Sequence, residues 1–194
     1  TLVNTTDTSI KSACLWVDYI YLDTDERRRF AQTSHEYLIE QTQANRNNCT
    51  KSNMKVKLNF NHPVKELVWV HTDGSCMFDY KADTDSALLQ LNGHERFSER
   101  VGDYFRHVQR YQHHTGSRSV QSGTTDAAMR PIQCYSFALQ PEEHQPSGTC
   151  NMSRIDNAVL EIKSSATSGE THIYGMNYNV LRVMSGMGGL AYSN

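Results

Sequence analysis

Three histidines crowd one short stretch of this chain: His107, His113 and His114. Clustered imidazoles are raw material for a metal centre, which needs convergent ligands and hydrogen-bonded groups behind them. His107 and His114 stand two helical turns apart, so they share a face only if one helix runs through both. His94-Glu95 does not continue into H-E-x-x-H, the pattern that pairs two zinc ligands with a general base. No H-x-H pair occurs either. The three histidines therefore read as surface or hydrogen-bonded side chains, and no metal ligand or cofactor is assigned.

Glu142 and Glu143 are the next candidates, because acid–base catalysis often uses two carboxylates. Catalytic pairs face each other across a cleft at a defined separation. Adjacent residues in a turn point apart, so these two read as solvated loop charges. The five cysteines, Cys14, Cys49, Cys76, Cys134 and Cys150, form no C-x-x-C pair and cannot all pair within the chain. Free thiols of a reducing compartment are the plain reading. None has a recognisable histidine and orienting group beside it in sequence, and G-x-S-x-G, P-loop and G-x-G-x-x-G motifs are absent. No catalytic residue is assigned. Arg27-Arg28-Arg29 reads as a solvated, salt-bridged face rather than an anion site.

Composition narrows the field further. The chain has 194 residues, a net charge of −2 and 38% hydrophobic residues. Its mean hydropathy is −0.63 and its pI about 6.5. That balance argues against a protein held on nucleic acid or on a membrane surface by bulk charge. No apolar run reaches the roughly 18 residues of a membrane span. No initiator Met is present, and a fragment of a longer chain is expected. The sequons at Asn4, Asn48 and Asn151 are candidate glycosylation sites if the chain meets a secretory route.

The elements that would position these residues are mostly strands. Residues 13–22 are β-branched and aromatic, apolar on both faces. Asp23 and Glu26 are spaced like a capping box, predicting a short helix through the arginines. Further strands are expected at 35–42, 54–61, 67–70, 86–91, 132–139, 158–162 and 173–184, the last bent near Gly175. Met54, Val56, Leu58 and Phe60 give the cleanest inward alternation. The polar stretch 43–53 is expected to be an exposed loop, as is 115–128. Phe97, Val101, Tyr104, Phe105, Val108 and Tyr111 recur at spacings of three and four, predicting a helix at about 101–110 with that stripe buried. Gly186 to Gly189 is expected to be a flexible kink. The 18 aromatics, at strand and helix periodicity, read as core packing. About eight or nine strands with little helix means an antiparallel β-sandwich or barrel.

Between two of these strands lies Phe137-Ala138-Leu139-Gln140-Pro141-Glu142-Glu143-His144-Gln145-Pro146-Ser147-Gly148-Thr149-Cys150-Asn151-Met152-Ser153-Arg154. Pro141 cannot donate to a ladder, and Pro146-Ser147-Gly148 supplies a turn with Gly148 free to take positive φ. Arg154 is positioned to pair with Glu142 or Glu143 across the turn, or with a neighbouring subunit.

These residues carry a resemblance. Val17-Asp18-Tyr19-Ile20-Tyr21-Leu22-Asp23-Thr24-Asp25-Glu26-Arg27-Arg28-Arg29-Phe30-Ala31 resembles the domain junction of the major capsid proteins of nucleocytoplasmic large DNA viruses, closest to the algal-virus and giant-virus branch. The segments 92–115, 136–157 and 178–194 resemble the same family, so nearly the whole chain is covered. The resemblance implies the C-terminal half of a double jelly-roll subunit. Residues 1–22 would be the last strand of the preceding jelly roll, 23–34 the linker, and 35–194 the C-terminal jelly-roll domain with a short helix. It implies a homotrimer packed against neighbouring capsomers, minor capsid proteins and a penton protein, without direct nucleic-acid contact. The expected location is the virion capsid, assembled in the host cell cytoplasm. Glu142, Glu143, Gly148 and Arg154 become turn and interface residues. The alternative is a glycan-binding β-sandwich on a virion or cell surface, with loops 43–53 and 115–128 as its site. A jelly-roll metalloenzyme built on His107, His113 and His114 stands behind both.

Overall fold

The computed structural model describes residues 12–48, 52–72, 80–81, 84–116, 132–165 and 168–192. Residues 12–23 join neither sheet and form no helix, although their sequence has strand character. Trp16 and Ile20 are about nine-tenths exposed. A strand apolar on both faces needs cover on both faces, and no described residue supplies it. Helix α1, Thr24–Gln32, begins where the capping spacing places it: the Asp23 carboxylate accepts from the Glu26 amide at 2.9 Å. It buries no residue. Arg27, Arg28 and Arg29 are solvated, and Arg28 meets Asp25 at 3.3 Å.

The strands are β1 (His35–Asn48), β2 (Asn53–Leu58), β3 (Pro63–Thr72), β4 (Tyr80–Lys81), β5 (Thr84–Leu91), β6 (His94–Glu95), β7 (Arg100–Val101), β8 (Gln133–Ser136), β9 (Cys150–Asn151), β10 (Ala158–Ser164), β11 (Glu170–Met184) and β12 (Met187–Leu190). Among the described residues they build two sheets, and every pairing is antiparallel. One runs β1-β11-β3, with β4, β8 and β9 along the far side of β3. The other runs β2-β10-β5, with β6 and β7 on β5. Strands that alternate between two facing sheets in this order make a jelly roll. Met54, Val56, Leu58 and Phe60 are buried as their alternation requires. They pack with Leu67, Trp69, Leu89, Leu160, Ile162 and Ile173 between the sheets.

Three expectations change. Residues 43–48 are strand, not loop: β1 continues opposite β11 as far as the Asn48–Glu170 pair. Their side chains are amides rather than apolar groups, yet they alternate like any strand. Gln43 both donates to the Asn61 carbonyl and accepts from its amide, and Asn45 donates to the Lys57 carbonyl. The helical stripe is also misplaced. Tyr104–Val108 is a π-turn, with the Gln109 amide bonded back to the Tyr104 carbonyl, followed by α2 at Gln109–His113. The inserted residue rotates the helix face. Phe105 and Gln109 are buried, whereas Val101, Val108 and Tyr111 are exposed. Finally, Gly186 is not a loose kink. Ser185 and Gly186 both take positive φ, 54° and 76°, in a two-residue turn that folds β12 back on β11.

The aromatic side chains divide in the same way. Phe105 lies 5.1 Å from Trp69 and 5.5 Å from Phe97, and Phe97 lies 4.7 Å from Tyr135, all against the core. Trp16, Tyr19, Tyr21 and Tyr111 face outward instead. Among the described residues, no helix is long and apolar enough to cross a membrane.

Candidate functional site

The connection 137–149 is fastened down at both faces. The Phe137 amide donates to the Lys65 carbonyl at 2.9 Å, and the Gln140 amide to the Ser147 hydroxyl at 2.9 Å. His113 Nδ1 lies 3.0 Å from the Leu139 carbonyl. Buried Gln109 donates to the Tyr104 hydroxyl at 2.8 Å and accepts from the Ser136 amide at 3.1 Å, so it ties α2 to β8.

Where α2 meets the connection, five polar side chains converge. His114 Nε2 lies 2.5 Å from Glu66 Oε1, and its Nδ1 lies 3.0 Å from Glu142 Oε1. The other Glu142 oxygen accepts from the Thr115 amide at 3.0 Å and from the Thr115 hydroxyl. Cys134 completes the group: its thiol faces His114 and Glu66 and lies 3.6 Å from the Phe105 carbonyl. Hydrogen bonding to Cys134, then to Glu66, raises His114 to about 10 against the opposing pull of burial. Hydrogen bonds from Thr115 hold Glu142 down at about 2. Burial pushes the Cys134 thiol up, which makes it a poor nucleophile.

The predicted residues fall in several places. His114 joins this group, while His107 sits 3.9 Å from Asp103 and His113 holds the connection. The three histidines do not converge. Glu142 engages His114 and Thr115 rather than Arg154. Glu143 and Arg154 are exposed, Arg154 at the end of a short 3-10 turn, Met152–Arg154. Gly148 has φ +149°, and a Cβ there would stand 2.8 Å from the Phe137 carbonyl oxygen. Asn48 is exposed at the end of β1. Asn151 accepts from the Ser153 amide at 3.1 Å, capping the 3-10 turn. Asn4, Cys49, Cys76 and residues 117–128 lie outside the described residues. The sequence reading missed Glu66 and Cys134. A signal for Glu66 existed: Lys65-Glu66 places two charges inside an otherwise apolar central strand.

Exposed apolar side chains form the other notable surface. Leu15, Trp16, Val17, Tyr19, Ile20 and Tyr21 stand free of the sandwich. A groove lined by Leu22, Arg29, Phe30, His35 and Tyr37 opens where α1 meets β1. Singly exposed apolar residues are ordinary, whereas a contiguous run of them marks an interaction surface.

Comparisons with known proteins place this arrangement. The family model described as "Large eukaryotic DNA virus major capsid protein" matches residues 26–189. The major capsid protein of Pyramimonas orientalis virus is 57% identical over 202 residues, covering 96% of this chain and 50% of the relative. That of Paramecium bursaria Chlorella virus 1 is 41% identical, covering 93% of this chain and 54% of the relative. This chain thus spans about half the length of the curated relatives it matches. The crystal structure of PBCV-1 VP54 superposes with a TM-score of 0.74 at 38% identity, covering 91% of this chain and 56% of that one. The Faustovirus major capsid protein, at 12% identity and a TM-score of 0.56, covering 82% of this chain and 35% of that one, shares the fold. The chain therefore belongs to the family of large eukaryotic DNA virus major capsid proteins.

Proposed function

We propose that this chain is the C-terminal jelly-roll portion of a major capsid protein, a structural rather than catalytic molecule. The observation that carries this reading is the 57% identity to the Pyramimonas orientalis virus major capsid protein across 96% of the chain. In it, residues 35–194 are the second jelly roll, 23–34 the linker, and 1–22 the last strand of the first. The exposed run Leu15–Leu22 then has its cover: it completes the sheet of a preceding sandwich, which removes its unpaired edge. The full subunit trimerises into pseudo-hexagonal capsomers that tile an icosahedral shell, with minor capsid proteins and a penton protein as further partners. The turn carrying Glu142, Glu143 and Gly148, with Arg154 beyond it, faces neighbouring subunits. Asn48 and Asn151, exposed at strand ends, are open to glycans.

The test is the mass of the purified full-length subunit in solution, followed by imaging of particles that contain it. A trimer in solution and trimeric capsomers in the shell are expected. A full-length chain that stays monomeric and does not assemble would overturn the reading.

A further inference from the structure

The group around His114 has the makings of something the fold alone does not require. Glu66 and Cys134 come from adjacent strands, with Val68 opposite Cys134 and Glu66 opposite Ser136. Leu67 and Tyr135 point into the core. Alternation along each strand therefore turns Glu66 and Cys134 to the other face, where the end of α2 and the connection 137–149 cover them. His114 enters from that cover. One oxygen, one nitrogen and one sulfur thus meet with all three donor atoms within 4.8 Å of one another. Glu66 is 2% exposed and Cys134 6%.

From this geometry we propose that Glu66, His114 and Cys134 bind one divalent cation of the zinc class. Three features of the group support it. First, the donor atoms lie close enough for one tetrahedral ion to gather them. Zinc–ligand distances of about 2.0–2.3 Å put neighbouring donor atoms roughly 3.3–3.6 Å apart. The Nε2···Oε1 pair at 2.5 Å has to open by about 1 Å, within reach of a side-chain rotation. Second, the orienting shell is in place. Glu142 accepts from His114 Nδ1, which leaves Nε2 for the ion, and the Thr115 amide and hydroxyl fix Glu142. A carboxylate behind a ligating histidine is what metal-binding imidazoles use. Third, the donor set selects the ion. Thiolate with imidazole favours zinc or cobalt over magnesium or calcium, which take oxygen ligands. His114 is half-buried, so water can supply a fourth ligand from its side. Binding displaces the thiol proton and any proton on His114 Nε2, while the Nδ1 proton stays on its hydrogen bond to Glu142. The ion would then clamp β3, β8 and the end of α2 together, a structural centre independent of the capsid reading.

The experiment uses the full-length subunit, stripped of metal and titrated with Co²⁺. One equivalent per subunit is expected, with a thiolate-to-cobalt charge-transfer band. Cys134→Ser should abolish the band, whereas Cys14→Ser and Cys150→Ser should keep it. Glu142→Gln should weaken binding about 10–100-fold while leaving the band, because it disturbs only the group behind His114. X-ray absorption of the wild-type zinc form needs no variant: one sulfur at about 2.3 Å with nitrogen and oxygen at about 2.0 Å is expected. Absence of a sulfur neighbour, or a charge-transfer band that survives in a folded Cys134→Ser subunit, would overturn the proposal. Trimer formation without any metal uptake would remove the site and leave the capsid reading standing.

Discussion

Lys65 Nζ sits 2.6 Å from Glu40 Oε1, joining β3 to β1 across the intervening β11. The ammonium also lies 5.3 Å from the centre of the Tyr178 ring. Lys65 occupies the irregularity where β11 shifts register between Met176 and Asn177, which turns its side chain out of the normal alternation. The lysine side chain is 2% exposed and the glutamate 32%. The two halves of the pair are therefore unequal. Glu40→Ala strands a charge inside the protein and should cost about 3 kcal/mol or more. Lys65→Met keeps the buried stem and leaves a glutamate that reaches water, so its cost should stay near 1 kcal/mol. Urea unfolding of the two variants measures the difference, and a larger loss for Lys65→Met would contradict this account.

Gly148 admits no side chain without strain. Its φ of +149° disfavours L residues, and an added Cβ meets the Phe137 carbonyl oxygen at 2.8 Å. Gly148→Ala should destabilise by about 1–3 kcal/mol, and Gly148→Val by more, with a lower yield of assembled subunit. Thermal melting and size-exclusion yield check this. Wild-type trimer yield from Gly148→Val would show that the turn is not held as described.

Gln109 bridges a hydroxyl and a backbone amide in a dry setting. Gln109→Leu preserves the bulk but orphans the Ser136 amide, which should cost about 1–3 kcal/mol. Hydrogen exchange should accelerate at Ser136 and along α2, and remain unchanged in β2 and β10.

Glu99 accepts from Lys163 at 2.8 Å and also from the Ser86 hydroxyl. The Lys163 hydrogen bond, then that of Ser86, lowers its carboxyl below the ordinary 4.5. A lowered folded value means the stabilisation is present above 4.5 and fades as pH falls through the folded midpoint. Carboxyl titration followed by NMR should place the Glu99 midpoint below that of a free glutamate. Lys163→Gln should move it upward, and added salt should move it the same way.

How far such relationships could be read from the sequence depends on what each residue faces. Met54, Val56, Leu58 and Phe60 announce their strand because apolar and polar residues alternate in it. Gln43, Asn45 and Asn47 lie in an equally regular strand but carry no apolar signal, so their pairing with β11 was hidden. The helix around Phe105 misleads for another reason: a π-turn shifts the phase that the spacing rule assumes, and Gln109 takes the buried place predicted for Val108. His114 stood out in the sequence. Its partners Glu66 and Cys134 did not, because only the folding of β8 and α2 against β3 brings them together. The N-terminal run 13–22 reads as a strand covered on both faces, whereas among the described residues it joins no sheet and stands exposed, because its cover would have to come from outside them.

One feature of the sheet reaches beyond stability. Val183 of β11 is flanked by His35 on one side and Gly188 on the other. The first residue of β1 and the middle of β12 are therefore two strand spacings apart, about 10 Å. The polypeptide enters this sandwich and finishes its last described strand at the same end of β11. A unit wired in that way can be spliced into a longer chain, repeated in tandem or cyclically reordered by a bridge of about three extended residues, with every core strand left in place.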